Sequence, residues 1–164
     1  MGMIFRVTLK LGKKIHVAPA QCLPAAENPF LDWCATLFTV ERAQYILVTN
    51  TRSLYSMVMI GRGIADDDRF LRATFRYMSD LMKDDGHESV FREIIGPQTG
   101  AIWFSKAGDR RVLGSMNDFI YQAKYYLGEA QISPFEASLR INKAPMSLLG
   151  MNSPREAFMS MSAG

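Results

Sequence analysis

The chain has 164 residues, with 19 Lys and Arg against 16 Asp and Glu and a net charge of +3. With 48% hydrophobic and 21% charged residues it has the balance of a folded globule, which excludes a disordered chain and removes the need for disulfides or a structural metal. The basic excess is too small and too scattered for a dedicated DNA-binding face. No segment reaches the roughly 18 apolar residues of a bilayer span, and residues 1–164 are expected to form a single domain.

In chain order, "MIFRVTLKL" alternates Phe5, Val7, Leu9 and Leu11 with Arg6, Thr8 and Lys10, which predicts a strand with one wet face. From Gly12 to Pro29 the prolines at 19, 24 and 29 predict a long loop holding at most one helical turn. "DWCATLFTV", "YILVTN" and "LYSMVMIG", separated by "ERAQ" and "TRS", predict an antiparallel meander. After Gly61 and Gly63 the period changes. Asp66, Asp67 and Asp68 open a helix by capping it, and Leu71, Phe75, Met78, Leu81 and Met82 form its apolar stripe up to Gly86.

"HESVFREIIG" predicts a second, shorter helix, and "GAIWFSKA" a fifth strand. In "VLGSMNDFIYQAKYYL", Leu113, Met116, Ile120, Ala123 and Leu127 recur at helical steps. "SPFEASLRIN" predicts a short helix with Pro134 in its first turn; Pro145 and Pro154 shape a closing segment, and "MSMSAG" is expected to fray. The expected class is α+β: an antiparallel sheet of about five strands, with three to four helices packed mainly on one face. The core is expected over residues 3–128, with a helical and irregular extension over 129–164.

The chemistry-bearing residues are sparse. Cys22 and Cys34 lie outside any CxxC or Cys/His spacing, and His16 is far from His87, so no metal site is expected. Phosphate-loop, dinucleotide, zinc-protease and hydrolase-elbow motifs are missing, so no cofactor is expected and no catalytic residue is assigned. Gly2 invites a myristoylation reading, but Arg6 stands where that motif needs Ser or Thr. Free thiols and a start unlike a signal peptide favour the cytoplasm. The "GRG" at 61–63 precedes a helix, but the following aspartates would repel an anion there. Trp33 and Trp103 read as strand packing. Met146, Met151, Met159 and Met161 read as a tail packed back onto the domain.

"DRRVLGSMNDF" concentrates charge and amide at the start of an apolar helix. Asp109 can cap that helix, an arginine can pair with Asp118, and Gly114 suggests either a close backbone approach or a later helix start at Ser115. The functional candidates are Arg110, Arg111, Asn117 and Asp118, expected to converge with Asn50 and Arg52 from the meander turn as a ligand or partner site.

"RRVLGSMND", preceded by "IWFSKAGD" and further upstream by "DWCATLFTVERAQYILVTN", resembles a family of small bacterial domains of unknown function. The resemblance runs from about Met3 to Leu127 and centres on an Arg-x-Val-Leu-Gly-x-x-Asn-Asp box; "LRINKAPMSLLGMNSPREAF" resembles the family's closing segment. Thr36 departs from the pattern, which has Asn after "WCA". The resemblance implies a bacterial, cytoplasmic protein and marks Arg111, Gly114, Asn117 and Asp118; it implies no substrate. Together these features favour a non-enzymatic binding or regulatory module that engages a protein or a small anionic ligand, away from membranes. The alternatives are a metal-assisted phosphoester hydrolase using Asp109 and Asp118, or a nucleic-acid-binding protein.

Overall fold

Five strands form one sheet in the order β4-β3-β2-β1-β5: β1 (Met3–Val7), β2 (Asp32–Val40), β3 (Ala43–Asn50), β4 (Ser56–Ile60) and β5 (Ile102–Lys106). The computed structural model in which they appear describes residues 2–163. The expected meander is present, with β2, β3 and β4 antiparallel, Trp33 opposite Asn50 and Tyr45 opposite Ile60. The other side differs from expectation. β1 runs parallel to both β2 and β5, so the sheet is mixed rather than antiparallel. Parallel neighbours require a crossover of a dozen residues or more. Residues 8–31 and 61–101 supply that length.

Six α-helices occur among the described residues, more than the three to four expected: α1 (Leu9–Ile15), α2 (Asp67–Asp84), α3 (Glu88–Val90), α4 (Arg110–Lys124), α5 (Pro134–Lys143) and α6 (Pro154–Met159). The first strand is shorter than its alternation suggests because Thr8 ends it. The Thr8 hydroxyl accepts the Leu11 N–H, α1 starts, and Leu11 and Ile15 become buried one turn apart. The closing segment also contains a helix missed in the sequence. Ser153 and Glu156 form a reciprocal capping box at the start of α6, with Pro154 as its first residue.

Helices cover both faces of the sheet, not mainly one. On one face Phe5, Trp33, Ile46 and Met57 pack against Leu11 of α1, Phe70 and Met78 of α2 and Phe158 of α6. On the other, Cys34, Phe38, Leu47 and Val58 meet Val112, Met116, Phe119 and Ala123 of α4 and Ile141 of α5. With β1 enclosed on both faces, all five of its residues are buried. Arg6, expected on a wet face, is therefore inside. It forms a two-pronged ion pair with buried Asp32, at 2.8 and 2.9 Å.

α5 lies along the outer edge of β4. Its Ser138 and Asn142 side chains hydrogen-bond the Val58 and Ser56 backbone, closing an edge that would otherwise present free N–H and C=O groups. In the tail, Met146 and Met161 pack against the two cores, while Met151 and Met159 are exposed. The last residue of the segment expected to fray, Gly164, lies outside the described residues.

Candidate functional site

The most distinctive surface begins at the turn after β4. Gly63 adopts φ +84°, a conformation that suits glycine, and the turn is tied back by the Gly61 N–H to the Gln44 carbonyl and the Ile64 N–H to the Gly61 carbonyl. Asp66 then caps α2, its carboxylate accepting the Arg69 N–H at 2.8 Å. Phe70, Thr74, Met78 and Leu81 face the core, which leaves Arg69, Arg72, Arg76 and Asp80 on the exposed side. Arg62 from the turn joins the three arginines. The four line one groove of about 610 Å³, together with Gly63, Ile64 and Ala73.

Two of these arginines have ionic partners. Arg69 lies 3.8 Å from Asp66, and Arg72 pairs with Asp68 one turn earlier; all four side chains are largely exposed. Such pairs are worth at most about 1 kcal/mol and yield easily to a better anion. Among the described residues Arg62 and Arg76 have no ion pair. Arg76 also borders two neighbouring grooves. One, of about 500 Å³, is shared with Phe75, Ser79 and Phe91; the other, of about 660 Å³, with Ile60, Tyr77 and Phe135. Planar guanidinium groups converging on one groove suit the forked recognition of phosphate or carboxylate oxygens.

The residues singled out in the sequence fall into two groups. Asn50 is buried at the end of β3 and locks the turn to β4. Its Oδ1 accepts the Ser53 N–H and hydroxyl, both at 2.9 Å, and its Nδ2 donates to the Pro29 and Asp32 carbonyls. Arg52 is exposed on the same turn, beside a hollow of about 350 Å³ shared with Ser53, Ala157 and Ser160.

Arg110, Arg111, Asn117 and Asp118 are exposed on α4, because its inward positions are Val112, Ser115, Met116, Phe119 and Ala123. Among the described residues no hydrogen bond or ion pair joins these four to Asn50 or Arg52, and none pairs an arginine with Asp118. Asp109 does cap α4, accepting the Arg111 and Val112 N–H groups, so the helix starts before Gly114 rather than after it. A Cβ on Gly114 would meet no atom within 4 Å, so no close backbone approach explains this glycine.

The arginine groove was missed in the sequence although part of its signal was legible. Arginines at 69, 72 and 76 recur at helical spacing on the polar side of the predicted helix. The three aspartates hid it by suggesting a locally acidic helix start. In the fold Asp66 is turned onto the helix backbone, and no aspartate lines the groove.

A second polar cluster anchors α6. The buried Asp85 carboxylate accepts the Tyr55 hydroxyl at 2.8 Å and the Arg155 Nε–H at 2.8 Å. Phe158 stacks on Tyr55 with ring centroids 4.6 Å apart, and the His87 ring meets both edge-on. Burial, followed by the Asp85 charge and the hydrogen bond to it, pushes the Tyr55 hydroxyl well above its ordinary range. His87 is buried, and among the described residues its Nε2 has no hydrogen-bond partner. Desolvation lowers its pKa below the ordinary 6.5; Asp85 opposes the shift and Arg155 adds to it.

The folded state therefore binds this proton less readily than the unfolded state. Stability from His87 is complete above pH 6.5 and is lost as pH falls from there through the lower folded value, at a limiting slope of about 1.4 kcal/mol per pH unit. Urea unfolding between pH 7.5 and 5 is expected to show a loss in the wild type that His87→Phe reduces. Identical pH profiles for the two proteins would refute this role.

Among the described residues there is no group of three or more side chains that could hold a metal ion, and no helix is long and apolar enough to cross a membrane. No curated protein and no solved structure matches the chain. A family model does: that of DUF6933, a domain of unknown function, over residues 4–157. This match takes in all of the sheet but Met3, the arginine groove and α1 to α5, and on its breadth the chain belongs to the DUF6933 family.

Proposed function

We propose that the protein is a non-enzymatic binding module that captures an anionic ligand in the arginine groove of α2. The observation that carries this reading is the set of four arginines on one groove, with Arg62 and Arg76 free of ionic partners among the described residues. Guanidinium groups stay protonated and only donate hydrogen bonds. The remaining lining residues, Gly63, Ile64 and Ala73, bring no nucleophile or base, so this groove suits recognition rather than turnover. A bacterial cytoplasmic setting belongs to the same proposal and accords with the two free thiols, Cys22 and Cys34.

A protein partner is the second reading, favoured by the outer side of α4. There Arg110, Asn117 and Asp118 are exposed and lead along the helix to Tyr121 and Tyr125, which are 80% and 58% exposed. Aromatic and arginine side chains are enriched at protein interfaces.

Calorimetric titration with inorganic pyrophosphate tests the first reading. Binding is expected to be one-to-one and to weaken between 50 and 300 mM salt, as exposed charges are screened. Arg76→Ala is expected to weaken it by about tenfold to a hundredfold, the range of one charge-assisted hydrogen-bonding group, with the melting temperature unchanged. Absence of binding in the wild type, or an Arg76→Ala protein that binds equally well, would remove the groove as the site.

A further inference from the structure

The groove between α2 and α5 meets the arginine groove at Ala73 and Arg76, which line both. Its volume, about 660 Å³, is within the usual range for small-ligand sites. Most of its wall is apolar: Met59 and Ile60 from β4, Ala73 and the Tyr77 ring from α2, and Pro134 and Phe135 from the start of α5. Ile60 is 58% exposed there, a large aliphatic side chain left facing solvent at the end of a strand whose other residues are buried.

Of the four polar residues that also line it, Arg76, Tyr77, Asp80 and Ser133, two stand out. The Tyr77 hydroxyl is buried and, among the described residues, has no hydrogen-bond partner, a rare state for a buried polar atom. Burial pushes its pKa up to about 12; the Ser138 hydroxyl, which opposes that shift, is committed to the Val58 N–H and the Pro134 carbonyl. The other feature is Arg76, whose guanidinium lacks an ion pair among the described residues although Asp80 follows one turn later on the same wall.

We propose that this groove is the body subsite of the ligand whose head group the arginines hold, and that the ligand is an amphipathic anion: a medium-chain acyl carboxylate with its chain between α2 and α5 and its charge at Arg76. The proposal rests on the reading of the arginine groove as an anion site and adds the ligand class. Charge complementarity decides the orientation. A carboxylate at Arg76 gains an unpaired cation, while a chain in the neighbouring groove covers Ile60 and Phe135. Ala73 has only a methyl group where the two grooves meet, which leaves room for a chain to pass; a larger side chain there would block it. Asp80 acts against the anion, so the acyl end rather than the charged end belongs beside it.

Calorimetric titration with hexanoate, octanoate and decanoate, with octan-1-ol and with inorganic pyrophosphate separates the possibilities. The carboxylates are expected to tighten about fourfold per added methylene until the groove is filled, the increment of burying one methylene. Octan-1-ol is expected to bind at least tenfold more weakly than octanoate. Ala73→Leu should abolish the dependence on chain length, and Ile60→Ser, at an exposed position on β4, should reduce it. Asp80→Asn should tighten octanoate several-fold by removing a like charge.

If pyrophosphate binds in an Arg76-dependent way while the carboxylates show no dependence on chain length, the acyl subsite is wrong and the anion site stands. Chain-length dependence that persists unchanged in both Ala73→Leu and Ile60→Ser would place the chain elsewhere and overturn the proposal. If neither pyrophosphate nor any carboxylate binds, both readings fall together.

Discussion

Asp32→Ala is expected to destabilise the fold by about 3–5 kcal/mol, which for a chain of this length is a fall of roughly 6–20 °C in melting temperature. The reason is the charge it leaves behind. Arg6 is 7% exposed and Asp32 3%, and their side chains meet through Nε–Oδ1 at 2.8 Å and Nη2–Oδ2 at 2.9 Å. The other guanidinium hydrogens are also used: Nη1 donates to the Leu23 carbonyl and the Ser105 hydroxyl, and Nη2 to the Pro24 carbonyl. Asp32 Oδ2 accepts the Ala26 N–H as well. Removing the carboxylate leaves a buried cation whose remaining partners are neutral.

The same centre holds the loop before β2 against the sheet, so two effects can be separated. Replacing both members, as in Arg6→Met with Asp32→Leu, removes the uncompensated charge and is expected to recover much of the lost stability, because apolar pairs often replace buried ion pairs without loss. It cannot recover the loop, since the Leu23 and Pro24 carbonyls and the Ala26 N–H lose their partners. Limited proteolysis within residues 16–28 is therefore expected to be faster in the double variant than in the wild type at equal global stability. An Asp32→Ala protein within 1 kcal/mol of wild type in urea unfolding would show that water satisfies Arg6 and that the pair is not a structural centre.

The sequence carried the meander, the long helix and the helix caps because each has a local cause. Period-two runs in β2 to β4, Asp66 before α2 and Asp109 before α4 act within a few residues of themselves. Strand direction has no such local signal. β1 is parallel to its neighbours because of where residues 8–31 and 61–101 return the chain, and nothing within "MIFRV" encodes that. Arg6 reads as a wet-face residue for a related reason: its partner Asp32 is 26 positions away, and alternation with apolar neighbours alone predicts an exposed side chain.

The site follows the same division. The arginines of α2 are periodic and could be read, whereas Arg62 reaches them only through the Gly63 turn, and the apolar groove needs α5, some 60 positions later. In the sequence Asn50 is a site candidate from the meander turn. Its five side-chain hydrogen bonds, within the turn and to Pro29 and Asp32, could be seen only in the fold.

Asn142→Leu is expected to destabilise by about 2–6 kcal/mol, since it leaves a buried N–H and a buried carbonyl of Ser56 without partners and each such group is worth about 1–3 kcal/mol. A four-residue step along a helix covers about 6 Å and a two-residue step along a strand about 6.6 Å, so side chains at 138 and 142 of α5 fall opposite residues 58 and 56 of β4. The Asn142 amide uses this match as a neighbouring strand would: Oδ1 accepts the Ser56 N–H at 2.7 Å, and Nδ2 donates to the Ser56 carbonyl at 2.8 Å. Ser138 accepts the Val58 N–H at 2.8 Å and makes a longer 3.4 Å contact to the Val58 carbonyl, so Ser138→Ala chiefly strands one donor and is expected to lose about 1–3 kcal/mol. Asn142→Asp discriminates between packing and pairing. It preserves shape and the acceptor but sets a second oxygen against the Ser56 carbonyl, so it should be destabilising at pH 7 and partly restored on acidification, when the protonated acid again donates. If Asn142→Leu matched wild type in urea unfolding, α5 would be held to the edge by apolar contact alone. If Asn142→Asp showed no recovery relative to wild type as pH falls, the amide's donor would not be the group that closes the sheet.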